Sequence, residues 1–176
     1  MKRHLLRILE IKHIREGKVI WEAHDIPNTL HLNGEQFILS TVFNTVGGMV
    51  IPSFYYLGMD NRSNVQITDN MQSITTEPSG NGYSRQPISS STGFTIEQFT
   101  LSGDTSGIQH WRAKSHIVTF TASGSQWGPV SNVFLTDRLD NTGNLIATAP
   151  LGTTRSVSPS DTVTFQFALN LVDTSI

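Results

Sequence analysis

The sequence predicts a single, mainly β domain: an antiparallel, jelly-roll-like β-sandwich with one short α-helix and an N-terminal hairpin or arm. Three observations carry this. Charged residues are 15% of the 176, against about 25% in soluble domains, and Ser, Thr, Asn and Gly take their place. Residues 162–171 alternate strictly, Val163, Phe165, Phe167, Leu169 and Leu171 against Thr164, Gln166, Ala168 and Asn170, the period of a strand with one buried face. Turn signals such as Asp140-Asn141-Thr142-Gly143 and Ser158-Pro159-Ser160-Asp161 separate further apolar runs at sandwich spacing.

Taken in order, residues 5–15 and 18–23 flank Glu16-Gly17, and glycine there suits the positive φ of a tight hairpin turn. Leu5, Ile8, Leu9 and Lys12 also fit one stripe of a helix over 2–15; β-branched content and the glycine favour the hairpin. Pro27-Asn28 breaks the chain. Asn33 then caps a helix over 34–44, with Gln36 completing a capping box and Gly47-Gly48 stopping it. Strands follow at 53–57, 94–101, 108–121, 130–136, 144–149 and 162–171. The polar stretch 60–92 exceeds an ordinary connection, so it is a functional loop or holds short edge strands. The division expected is a hairpin or arm over 1–25 and one sandwich over 26–176.

Charge is uneven. Residues 1–20 hold six basic and two acidic residues, for +4, and the other 156 hold six basic and twelve acidic, for −6. No global field points to nucleic acid. No run of about 18 apolar residues would span a membrane, and Arg7, Glu10 and Lys12 interrupt what a secretory signal needs. With no cysteine, disulfides, thiolate metal sites and cysteine nucleophiles are excluded.

Catalytic chemistry finds no support. His13, His24 and His31 share no metal-ligand spacing. His24-Asp25 lacks a nucleophile elbow to serve. His110 and His116, placed on one strand face with Arg112 and Lys114 between them, read as a solvated face or a patch for an anionic partner. Asp60-Asn61-Arg62-Ser63-Asn64 begins like a calcium loop, but Arg62 occupies a ligand position, so an Asx-rich turn is expected. No catalytic, metal or cofactor-binding residue is assigned. Trp111 is expected in the core, sharing a strand with alternating apolar residues. Trp127 is expected in an exposed loop, anchoring a subunit interface in preference to a glycan.

The order of short phrases then becomes informative: Trp21-Glu22-Ala23, Asn28-Thr29-Leu30, the helix after Asn33-Gly34, Tyr56-Leu57-Gly58, Thr76-Glu77-Pro78, Gly82-Tyr83-Ser84-Arg85-Gln86, Asn132 to Thr136, Gly143 to Ala147, and Ser158 to Val163. In this arrangement the chain resembles small structural proteins of tailed-bacteriophage virions, including head decoration (cement) proteins and some tail or fibre components. The resemblance implies a non-enzymatic protein of the virion, assembled in the host bacterial cytoplasm, that stabilises the head lattice by binding the major capsid protein and copies of itself, with a trimer one arrangement. The alternative it implies is a tail or fibre module that binds a receptor or glycan through 60–92 and Trp127. The docking candidates are Arg3, Arg7, Lys12, Arg15, Lys18 and Trp21 on the positive arm, with Arg112, Lys114 and Trp127. Deleting residues 1–20 is expected to leave the sandwich folded.

Overall fold

The computed structural model describes residues 6–43, 50–100, 105 and 107–171. Strands β1 (Leu6–Arg15) and β2 (Lys18–Pro27) form the expected hairpin. Its turn residues both have positive φ, Glu16 at 50° and Gly17 at 73°. That hand of turn matches the twist of the flanking strands. On its other side β1 pairs antiparallel with β11 (Thr162–Leu171), bringing Ile8 opposite Phe167 and Ile11 opposite Phe165.

The first sheet runs β2-β1-β11-β7-β6, with β8 also on β11. Here β6 is Phe94–Phe99, β7 His110–Ser115 and β8 Val118–Thr121. The predicted strand 108–121 is therefore two segments. Between the pairs Phe165–Val118 and Ala168–Lys114, β11 advances three residues and its partner four. The extra residue is a bulge, held by Ser115, whose Oγ accepts from Phe167 N at 3.0 Å and donates to His116 O at 2.8 Å. His116 falls beyond β7 and does not continue the face of His110, Arg112 and Lys114, which corrects the expectation of one row.

The second sheet runs β3-β10-β9-β4-β5, with β3 at Thr29–Leu30, β4 at Phe54–Asp60, β5 at Gln86–Ser89, β9 at Trp127–Thr136 and β10 at Leu145–Val157. The two sheets enclose one apolar core in which Ile8, Ile11, Phe120, Phe165 and Phe167 meet Leu57, Met59, Val133, Leu135 and Ala147. This is an antiparallel β-sandwich. The hairpin is woven into it: Ile8 is 2% and Ile11 0% exposed. Removing residues 1–20 would take both out of the core, so this deletion is expected to destabilise the sandwich instead of leaving it intact.

One α-helix, α1 (Leu32–Phe43), closes an end of the sandwich. It begins earlier than the predicted 34–44. His31 N donates to Ile146 O at 3.0 Å, and Glu35 N donates to His31 O at 2.9 Å. Asn33 thus lies inside the first turn instead of capping it. Gly34 is the contact point, because its Cα faces the main chain of Ile146 too closely for any side chain. Phe37 points inward, edge-on to Tyr55 at 6.2 Å. The Gly47-Gly48 stop lies outside the described residues.

Candidate functional site

The polar stretch 60–92 contains one edge strand, β5, and a 3-10 turn over Met71–Ser73. Asn70 caps that turn, accepting from Gln72 N at 2.9 Å while its own N donates to Ser73 Oγ at 3.2 Å. The cap aims Met71 and Ile74 at the outer face of the second sheet. There they bury Phe134 and Leu145 in a small second core. Strand β9 is consequently covered on both faces, with Val133 and Leu135 inward and Phe134 outward. Gly58 makes room for Phe134, since a Cβ there would strike the ring.

Two ionic networks pin the stretch. At its start Asp60, 0% exposed, accepts from Arg62 Nε at 2.6 Å and from Asn132 Nδ2 at 2.7 Å. Arg62 also donates to Asp69 at 2.7 Å and to Thr148 Oγ1 at 2.9 Å. The same hydroxyl meets His31 Nε2 at 2.9 Å. Burial, with Arg62 adding repulsion, lowers the His31 pKa from its ordinary value. Arg62 N reaches back to Asp60 Oδ1 at 3.3 Å, which is the expected Asx turn, and the Asp60 carboxylate is spent on protein partners. Among the described residues no group of three His, Asp or Glu side chains is placed to hold a metal.

At the other end Arg85 donates to both Glu77 oxygens and to the carbonyls of Leu139 and Asp140, at 2.7–3.2 Å. Its guanidinium lies 5.2 Å from the Phe134 ring centre. Tyr83 OH donates to Glu77 at 2.8 Å and accepts from Met59 N at 2.7 Å. Burial, then the Glu77 charge, pushes that hydroxyl well above the usual tyrosine range. The stretch is therefore a fastened cover on the second sheet. Beside its first turn opens a polar groove of about 350 Å³, lined by Asn61, Ser63, Ser131, Gly152, Thr153 and Thr154 among others. Its walls offer amides, hydroxyls and main chain, which suit hydrogen bonding to a polar surface.

The tryptophans exchange the places expected of them. Trp127 begins β9, is 1% exposed, donates to Asn81 O at 2.8 Å and packs edge-on to Tyr83 at 5.3 Å. Trp111 is 54% exposed. It does share the inner face of its sheet with Ala113 and Leu169, but it stands where the second sheet no longer covers that face.

The basic candidates are mostly engaged within the chain. Arg15 Nε and Nη2 grip Asp161 at 2.9 and 2.7 Å, beside His13 Nε2 at 2.8 Å. The hydrogen bond from Arg15 is the largest cause holding the buried Asp161 carboxyl far below the usual carboxylate range. Lys12 pairs with Glu10 at 2.8 Å. Trp21 lies under the Arg155 guanidinium, 4.2 Å away. Arg112 and Lys114 both pair with Glu97, whose pKa falls through the Lys114 hydrogen bond first and Arg112 second. Lys18 is exposed and Arg7 half-buried. Arg3 lies outside the described residues.

Compared with known protein families, residues 35–171 match the family described as podophage GP4 fiber I protein gp80. The chain belongs to this family. None of the curated proteins matches it. Membership places the chain among structural proteins of the phage virion, the coarser part of what the sequence resemblance implied. The family segment runs from the first turn of α1 through β11, so it includes the whole 60–92 cover, the polar groove, Arg112, Lys114 and Trp127. Arg7, Lys12, Arg15, Lys18 and Trp21 precede it. Asp161 falls within the segment and its partners His13 and Arg15 before it. No single sequence motif marks the Arg62 and Arg85 networks; the one signal was a polar stretch too long for a plain connection, interrupted by Met71 and Ile74.

Proposed function

We propose that this chain is a fibre component of a phage virion, acting by association and without catalysis. The fibre family's match over residues 35–171 carries this reading. The fastened 60–92 cover supports it, because a rigid polar surface binds a receptor or glycan without first having to order a loop. In this reading the groove beside Asn61, Ser63 and Thr153 is the contact surface, and Trp127 stabilises the cover from beneath. The capsid-docking role of the basic hairpin belongs to the decoration alternative, in which the major capsid protein is the partner.

Mass spectrometry of purified particles distinguishes the two. A fibre component is present at a small fraction of the major capsid protein. Parity with that protein would overturn the fibre assignment in favour of head decoration.

A further inference from the structure

His31 stands where α1, β10 and the 60–92 cover meet, and it is 0% exposed. Its main chain bonds to Ile146 of β10 and to Glu35 of α1, and the next amide, Leu32 N, donates to Ile67 O of the cover at 3.0 Å. The ring spans the same junction, with Nδ1 2.9 Å from Gln66 O and Nε2 2.9 Å from Thr148 Oγ1. These partners allow one protonation state. A carbonyl oxygen only accepts, so Nδ1 holds the hydrogen. Thr148 Oγ1 already accepts from Arg62 Nη2 at 2.9 Å, and a guanidinium only donates. The hydroxyl's own hydrogen therefore turns to Nε2, which accepts. His31 is neutral, in its Nδ1–H form.

A second ring hydrogen would sit on Nε2, facing a hydroxyl that would have to turn its own hydrogen away. Thr148 is itself 0% exposed, and among the described residues its hydroxyl has no other hydrogen-bond partner than Arg62 and His31. The charges around the ring do not favour the extra proton. Arg62 is a cation beside it, and Asp60 and Asp69 are both bound to Arg62, at 2.6 and 2.7 Å. Burial first and Arg62 second favour the neutral ring, against weaker opposing effects of the Gln66 carbonyl and Asp69. Glu35 of α1 is exposed. Asn132 of β9 is uncharged and bound to Asp60, and the residues paired at this level of β3 and β10, Thr29 and Thr148, are uncharged.

We propose that His31 is an acid-operated latch on the cover. Neutral, it fastens the start of 60–92 and the start of α1 to β10. Protonated, it loses the Thr148 hydrogen bond, and the charged ring moves toward water, freeing Gln66, Ile67 and Leu32 from β10. A group that the fold keeps neutral contributes in full above its ordinary range near about 6.5, and its contribution is lost as pH falls below that. The carboxyl of Asp161 titrates below about pH 4, so the latch opens while the Arg15 pairing that holds β1 is intact. The latch is the same in a fibre component and in a decoration protein, so it stands apart from that assignment.

The test is ring-nitrogen NMR and amide hydrogen exchange of the full chain from about pH 7.5 to about pH 5. It compares wild type with His31→Gln, which keeps a polar side chain at the site but cannot titrate. At neutral pH the wild-type ring is expected as the Nδ1–H tautomer. Below about pH 6.5, protection of the Leu32 and Gln66 amides is expected to fall by up to about tenfold per pH unit, the limit for one proton. The amides of β11 should keep theirs. In folded His31→Gln this pH dependence should vanish. An Nε2–H tautomer or a charged ring at neutral pH overturns the proposal on wild type alone, whether or not the variant folds. Wild-type protection at Leu32 and Gln66 that does not change with pH overturns it too, as does an equal fall in folded His31→Gln.

Discussion

Gly34→Ala should reverse the usual sign of a glycine-to-alanine change in a helix. In an exposed helix interior the substitution stabilises by about 1 kcal/mol. Gly34, however, sits in the first turn of α1 against β10. A Cβ there would lie 2.8 Å from the C and Cα of Ile146 and closer still to its carbonyl oxygen. That neighbour is main chain in the second sheet, flanked by the pairing of Leu145 and Ala147 with β9, so the helix has to move. Moving it strains the His31 N–Ile146 O hydrogen bond of 3.0 Å, worth about 1 kcal/mol. Overpacking adds about 1–3 kcal/mol. Net destabilisation of about 2 kcal/mol follows once the propensity gain is subtracted, lowering Tm by about 6 °C for a chain of this size. Thermal and urea unfolding at one fixed protein concentration measure it, the concentration being held because association would also shift Tm. Gln36→Ala, an exposed position on the same helix, should change Tm by no more than about 2 °C. A Gly34→Ala protein that melts above wild type would refute the claim that α1 docks through this glycine.

Two further outcomes test other parts of the fold. Asp161 has a folded pKa below its unfolded value, so its contribution is full above the ordinary carboxylate range near about 4 and is lost as pH falls toward the folded value. Asp161→Asn should therefore be least stable relative to wild type at neutral pH, with the gap narrowing below about pH 4; a gap that stays constant in urea titrations down to strong acid would exclude the Arg15 and His13 pairing as its source. Met71→Ala empties the second core at a residue that is fully buried, a loss of about 3 kcal/mol. Local opening of 60–92 should rise on the order of a hundredfold, read as faster proteolytic cleavage within that stretch. Unchanged cleavage would mean the ionic networks alone hold the cover.

What the sequence by itself determined is what local pattern can encode. Period-two alternation placed β11, and a turn glycine tolerant of positive φ, Gly17, placed the first hairpin, because both features depend on neighbours along the chain. The polar stretch 60–92 was recognisable as unusual in length, and the order of short phrases pointed to a phage virion protein. Tertiary structure decided the rest. Trp111 stands on the inner face of the first sheet yet is half exposed, because the second sheet covers only part of that face; Trp127, which reads as loop, begins β9 and is buried because the 60–92 stretch brings Tyr83 and Asn81 against it. Strand parity states which face a residue takes and says nothing of how far the opposing layer extends. Asn33 reads as a cap and Gly34 as a neutral neighbour until β10 arrives beside the helix, when close approach makes the glycine the contact and shifts the start to Leu32. Arg15, Arg62 and Arg85 look like surface charge in the sequence, since each finds carboxylates or carbonyls brought near by folding. The first strand reads as a detachable arm for the same reason: Ile8 and Ile11 become core only when β11, about 150 residues later in the chain, folds back to pair with them.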